Sequence, residues 1–141
     1  MEILTACLCD SAADYQGKLC ILGAFDTIAA PEFPCTHPHS SIAIRLLLRD
    51  EDVGDHHLEI DVVDPDGRSV IPAAKRPNIL FHIAPLAPEV FFVSQNFVIN
   101  FQGLPGREPG QYELRILLDG EVSRAIPFQF VQRPAQENLA Q

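Results

Sequence analysis

Twelve prolines and eight glycines interrupt the 141-residue chain at short intervals. Each proline removes an amide donor and fixes φ, so a helix interior or a central ladder position is closed to it. The segments between these breaks carry no helical period of useful length. They are short apolar runs rich in Ile, Val, Leu and Phe, bounded by turn residues, and runs of that kind read as strands.

The first two strands are expected at about residues 2–10 and 18–28, joined by the polar link Asp14-Tyr15-Gln16-Gly17. Gly23 inside the second marks a bulge or a close backbone approach. A loop over residues 31–39 follows, with three prolines and no capacity for a regular ladder. The third strand covers about 41–50, with Arg45 and Arg49 alternating against Ile44, Leu46 and Leu48, so part of one face is expected to meet solvent. The fourth runs from His57 to Asp64, with Leu58, Ile60 and Val62 facing in and Glu59 and Asp61 facing out. Asp64-Pro65-Asp66-Gly67 is a turn in which proline presets one φ and glycine accepts a positive one. A short return strand is expected from Arg68 to about Ala74, another over 79–83, and a long apolar one over 89–102. The segment 111–118 places Tyr112, Leu114, Ile116 and Leu118 on one face. Asp119-Gly120 is a primed two-residue hairpin signal, and the last strand spans about 121–131.

Seven to nine strands with turn chemistry between them, and no substantial helix, predict an all-β fold: an antiparallel β-sandwich. Residues 1–132 read as its single domain and residues 133–141 as a polar C-terminal tail. The hydrophobic fraction of 47% and charged fraction of 21% fit a globular chain. Nineteen acids against ten bases give a net charge of −9, which disfavours nucleic acid and anionic membrane surfaces as partners. The opening residues carry no basic leader, and the longest apolar runs fall far short of the roughly 20 residues a membrane span needs, so a soluble cytoplasmic protein is expected. In that compartment Cys7, Cys9, Cys20 and Cys35 read as free thiols.

The final hairpin, Pro109-Gly110-Gln111-Tyr112-Glu113-Leu114-Arg115-Ile116-Leu117-Leu118-Asp119-Gly120, resembles the penultimate strand of many bacterial immunoglobulin-like domains. Together with Leu8-Cys9-Asp10, the strand bearing Gly23 and Phe25, Pro31-Glu32-Phe33-Pro34 and Phe101-Gln102-Gly103-Leu104-Pro105, it is similar to a family of small uncharacterised bacterial cytoplasmic proteins. The resemblance implies an immunoglobulin-like β-sandwich in which Tyr112 ties a loop to the sheet. It supplies no catalytic residue, substrate or cofactor. Tryptophan is absent, and no cysteine pair can be assigned as an inter-sheet disulfide, so an antibody-type domain is not implied.

Three constellations bear on chemistry. Cys7 and Cys9 share one face of the first strand, and His37-Pro38-His39 projects two imidazoles to one side if extended; four such groups are a zinc set if they meet. Cys20 joins their face only if paired residue numbers of the first two strands sum to an odd value. The plainer reading makes the cysteines core and the histidines loop polar groups. Asp50, Glu51, Asp52, Asp55, Asp64 and Asp66 offer oxygens for calcium but lack the spacing of a known loop, and acidic loops are usually just solvated. His56 and His57 beside Asp55 form either a pH-sensitive patch or a polar entry to a strand. His82, among Leu80, Phe81 and Ile83, reads as a partly buried, hydrogen-bonded side chain rather than a base. There is no G-x-S-x-G and no glycine-rich phosphate loop, so no catalytic residue or cofactor is assigned.

The remaining signal is surplus apolar surface. Val90-Phe91-Phe92-Val93 is apolar on both faces, as are parts of the first three strands, whereas a two-layer sandwich buries one face of each sheet. Either the loops over 31–39 and 72–88 cover the excess, or a partner does. The sequence therefore predicts a non-catalytic module that binds protein or itself as a dimer or higher oligomer, with Val90, Phe91, Phe92 and Val93 as candidate interface. The alternative is a metal-binding protein or metal-dependent enzyme using Cys7, Cys9, His37 and His39.

Overall fold

Asp119 and Gly120 adopt φ of 52° and 85°. Two consecutive positive φ values give a turn whose twist matches that of the flanking strands. The computed structural model, which describes residues 1–134, accordingly folds the end of the chain into a long hairpin. In chain order the described strands are β1 (Glu2–Tyr15), β2 (Lys18–Ala24), β3 (Thr27–Ala30), β4 (Cys35–His37), β5 (Ser40–Leu48), β6 (Gly54–Val63), β7 (Asn78–Ile83), β8 (Val93–Phe101), β9 (Leu104–Gly106), β10 (Gly110–Leu118) and β11 (Glu121–Gln132). The only helical elements among the described residues are short 3₁₀ turns at Asp50–Asp52 and Ala73–Lys75. No helix among them is long and apolar enough to cross a membrane. The expected tail lies outside the described residues from position 135 onward.

One sheet has the order β2-β1-β5-β8 and the other β3-β11-β10-β6-β7, with β4 and β9 as a separate pair. The alternation in β6 and β10 sets the register of the second sheet. Leu114 lies opposite Val62, Ile116 opposite Ile60 and Leu118 opposite Leu58, so every inward side chain meets another. These residues join Ile42, Ile44, Leu46 and Leu48 of β5 and Phe97, Ile99 and Phe101 of β8 in one buried cluster. Phe81 of β7 and Phe97 of β8 close one side, with ring centroids 5.0 Å apart.

Five expectations are corrected. The second strand does not run to residue 28: it breaks after Ala24, and Thr27–Ala30 forms β3, which pairs parallel with β11 in the other sheet. The arrangement is therefore mixed rather than wholly antiparallel. Among the described residues the strands number eleven rather than seven to nine, because of this split and the short β4–β9 pair. No strand returns over 68–74. The Asp64 carboxylate accepts hydrogen bonds from the amides of Asp66 and Arg68 at 2.9 Å each, which winds the turn tightly and leaves one bridge, Val63 to Ser69. Finally, the outer face of β5 is not solvated. Ser41, Ala43 and Leu47 are buried there, and Arg45 is partly buried.

The cover on β5 is the β1–β2 hairpin. Beyond Cys9, β1 leaves β5 and pairs with β2 alone. The tip of this arm turns back over the four-stranded sheet. The Gly17 carbonyl accepts from Arg45 Nη1 at 2.9 Å and from Asn96 Nδ2 at 3.2 Å, and Asn96 Nδ2 also donates to Asp14 at 2.9 Å. Gly23, at φ 69°, lies where the arm bends. A Cβ there would sit 2.5 Å from the Asp10 carboxylate, which is the close approach its position in the strand signalled.

Candidate functional site

Residues 84–92 connect β7, at the edge of one sheet, to β8, at the edge of the other. Pro85 and Pro88 prevent a continuous ladder. Glu89 adopts φ of 68°, and the Val90 amide closes a turn onto the Ala87 carbonyl at 3.1 Å. The apolar run that the sequence extends from 89 to 102 therefore enters the sheet only at Val93. Val90, Phe91 and Phe92 precede it as an extended loop. Their exposures are 40%, 85% and 50%, and that of Val93 is 38%. Four consecutive large apolar side chains thus face water beside an edge strand. Burying a phenylalanine fully is worth about 1.5–3 kcal/mol, so covering Phe91 alone is worth about 2 kcal/mol.

The thiol and imidazole candidates do not assemble. Cys7 and Cys9 do share the outer face of β1. Cys9 is buried and donates to the Ser41 carbonyl at 3.5 Å. Burial, then the neighbouring Cys7 and Asp10, pushes its thiol up to about 11. Burial also raises Cys7 and Cys35. Thiols so held are poor nucleophiles at neutral pH. The β1–β2 partner numbers sum to 33 (Ala13 opposite Cys20), the odd case, but Cys20 lies out on the exposed arm. His37 ends β4, its ring 5.5 Å from that of Phe25 and its pKa lowered by burial. It lines a surface depression of about 520 Å³ with Asp26, Thr27 and Arg133. His39 lies beyond the strand, its Nδ1 3.3 Å from Gln102 Nε2. Among the described residues no group of three or more His, Cys, Asp or Glu side chains lies close enough to hold a metal ion.

Four of the six acidic residues considered for calcium have separate employment. Asp50 accepts from the Leu86 amide, Asp52 from the Arg49 amide and the Met1 ammonium, and Asp64 from its own turn. Asp55 meets His82 Nδ1 at 2.7 Å. His82 is thus hydrogen-bonded as expected but exposed rather than partly buried, because it sits on the outward side of edge strand β7.

One polar constellation had no signal in linear spacing. His56 Nδ1 lies 2.8 Å from the Asp119 carboxylate, and its Nε2 lies 2.5 Å from the Asp52 carbonyl. Both partners only accept, so both ring nitrogens must donate and the ring is an imidazolium. The hydrogen bond to Asp119 is the largest influence raising the His56 pKa, and the same bond lowers that of Asp119. For Asp52, burial works upward but is outweighed by the Arg49 amide and the Met1 ammonium. Asp119 also accepts from the His57 amide at 2.9 Å. The group clamps the β10–β11 turn to the start of β6. With both nitrogens occupied, it offers neither a base nor a ligand.

Comparison with known proteins adds a family but no activity. The model of a family of unknown function, DUF6941, matches residues 4–131. No curated protein matches the chain. Among solved structures, the chain is similar to the Pseudomonas fluorescens alkylpurine DNA glycosylase AlkC bound to DNA containing an abasic site analog. The identity is 14%, the match covers 74% of this chain and 27% of that one, and the TM-score is 0.39. The chain spans little more than a quarter of that structure's length, and so distant a likeness carries no argument.

Proposed function

The chain belongs to DUF6941, a family of unknown function, and on that premise we propose that it is a non-catalytic protein-interaction module with an immunoglobulin-like β-sandwich fold, in which Val90, Phe91, Phe92 and Val93 form the contact surface. The observation that carries this reading is the unbroken exposure of those four side chains beside edge strand β8. Aromatic residues in such a patch are the usual anchors of protein interfaces. Sandwich modules also bind through edge strands and loops, because a free edge offers backbone donors and acceptors that an added strand can satisfy. The four unpaired cysteines support a reducing, cytoplasmic setting.

Phe91→Asp and Phe92→Asp test the reading. Both side chains are exposed, so each variant should keep the thermal midpoint of the parent to within about 1–2 °C. A protein partner captured by the wild type should be lost by the variants. Equal capture by both variants would remove residues 90–93 as the contact surface.

A further inference from the structure

The β1–β2 arm is the second place where apolar side chains meet water. β2 stands at the end of its sheet, with no partner beyond it among the described residues. Every residue of it except Leu19 is exposed. Leu22 is 70% exposed, and Tyr15, at the tip of β1, is 60% exposed. Exposed edges are normally blunted by repeated lysines, by proline or by a bulge. Residues 18–22 contain no proline and a single lysine at their start. They form a regular run between Gly17 (φ 80°) and Gly23 (φ 69°), where the backbone turns away. The arm is also held in place: Arg45 and Asn96 fasten its tip to the sheet beneath, so little ordering remains to be done on binding.

We infer that the free edge of β2 docks the same edge of a second copy of this chain, antiparallel, across a two-fold axis at Cys20. This adds a site and a partner to the interaction-module reading and rests on it. Two features favour a second copy over an unrelated strand. The five residues are complementary to themselves in that register, with the Lys18 stem against Leu22 and Leu19 against Ile21, and an isologous contact needs such self-complementarity. The chain carries a net charge of −9, yet the sole charge in this run is a cation, so two copies approach here without opposing carboxylates. A five-residue strand pair is about 16 Å long. It buries less than the roughly 800 Å² per partner of a standard interface, so the dimer is weak and concentration-dependent.

Sedimentation of the full reduced chain at about 100 µM, where a micromolar dimer is populated, reads the outcome. The wild type should move from 15.6 kDa toward twice that mass. Leu22→Lys, at an exposed position that leaves the fold intact, should return it to monomer. Phe91→Asp should remain dimeric. Mild oxidation supplies an independent readout. Directly opposed residues in an antiparallel pair have Cα atoms about 4.5–5.5 Å apart, within disulfide range. Two Cys20 thiols then give one disulfide, passing two electrons and two protons to the added oxidant. The cross-linked dimer should vanish in Cys20→Ser and form several-fold more slowly in Leu22→Lys. A monomeric wild type at that concentration overturns the inference and leaves the reading of residues 90–93 untouched. A dimer lost in Phe91→Asp but kept in Leu22→Lys also overturns it, and assigns self-association to residues 90–93 instead.

Discussion

Tyr112→Phe isolates the hydroxyl that ties a loop to the core. Tyr112 is almost fully buried, with its ring centroid 4.9 Å from that of Phe130 and 5.6 Å from that of Phe128. Its hydroxyl donates to the Glu108 carbonyl at 2.8 Å and accepts from the Glu108 amide at 3.3 Å. The substitution keeps the ring and deletes the hydroxyl, which is both the donor to the carbonyl and the weaker acceptor of the amide. A neutral hydrogen bond of this kind contributes about 0.5–1.5 kcal/mol net. Glu108 is exposed, so water can reach its freed carbonyl, and the expected loss is about 1–1.5 kcal/mol. For a chain of this length the unfolding entropy converts that to a fall in Tm of about 3–5 °C. Tyr112→Leu removes the ring as well and should lose about 2–4 kcal/mol more through lost packing. Thermal unfolding followed by circular dichroism measures both. A Tyr112→Phe midpoint unchanged from the wild type would show that the hydroxyl does not anchor the 107–109 loop.

Other consequences follow from the same geometry. The His56 pKa is raised in the fold above its ordinary value of 6.5, so its clamp stabilises fully below that pH and is lost as pH rises through the folded-state value. Thermal midpoints should therefore decline from pH 6 toward pH 9 in the wild type and decline less in His56→Gln; parallel profiles would refute the imidazolium assignment. Gly106→Ala places a Cβ 2.7 Å from the buried Phe130 ring, and equilibrium denaturation should show a loss of about 1–3 kcal/mol; an unchanged midpoint would mean the ring has room to move. Of the four thiols, exposed Cys20 should react first with a thiol reagent in the native protein and Cys9 last, and mass mapping of the labelled sites showing the reverse order would contradict the burial described.

Local chemistry was legible where it acts over a few residues. The Asp119-Gly120 turn and the inward set Leu58, Ile60 and Val62 follow from neighbours in sequence, the Tyr112 corner was implied by the family resemblance, and the structure shows each. Boundaries inside continuous apolar runs were not legible. Period-2 alternation is silent where both faces are apolar, so nothing marks Val93 rather than Glu89 as the start of β8. Only the backbone conformation at Glu89 decides it. Long-range closure was also hidden. Arg45 reads as a solvated face, yet the arm that covers it is fastened 28 residues earlier in the chain, at Gly17. The His56 clamp joins residues 63 apart, and the nearer acid, Asp55, is the partner of His82 instead. The candidate surface at 90–93 was visible as composition, because four apolar residues exceed what one sheet face can bury. Its form as a loop beside an edge strand was not.

The central claim is that residues 90–93 meet protein. It is tested most directly by placing a photo-activated benzophenone side chain at position 91, where the ring replaces an exposed phenylalanine, and irradiating living cells. Leu80, similarly solvent-facing on strand β7, serves as the control position. The account predicts a discrete adduct of higher mass from position 91 and none from position 80. No adduct at position 91, or the same adducts from both positions, would contradict it.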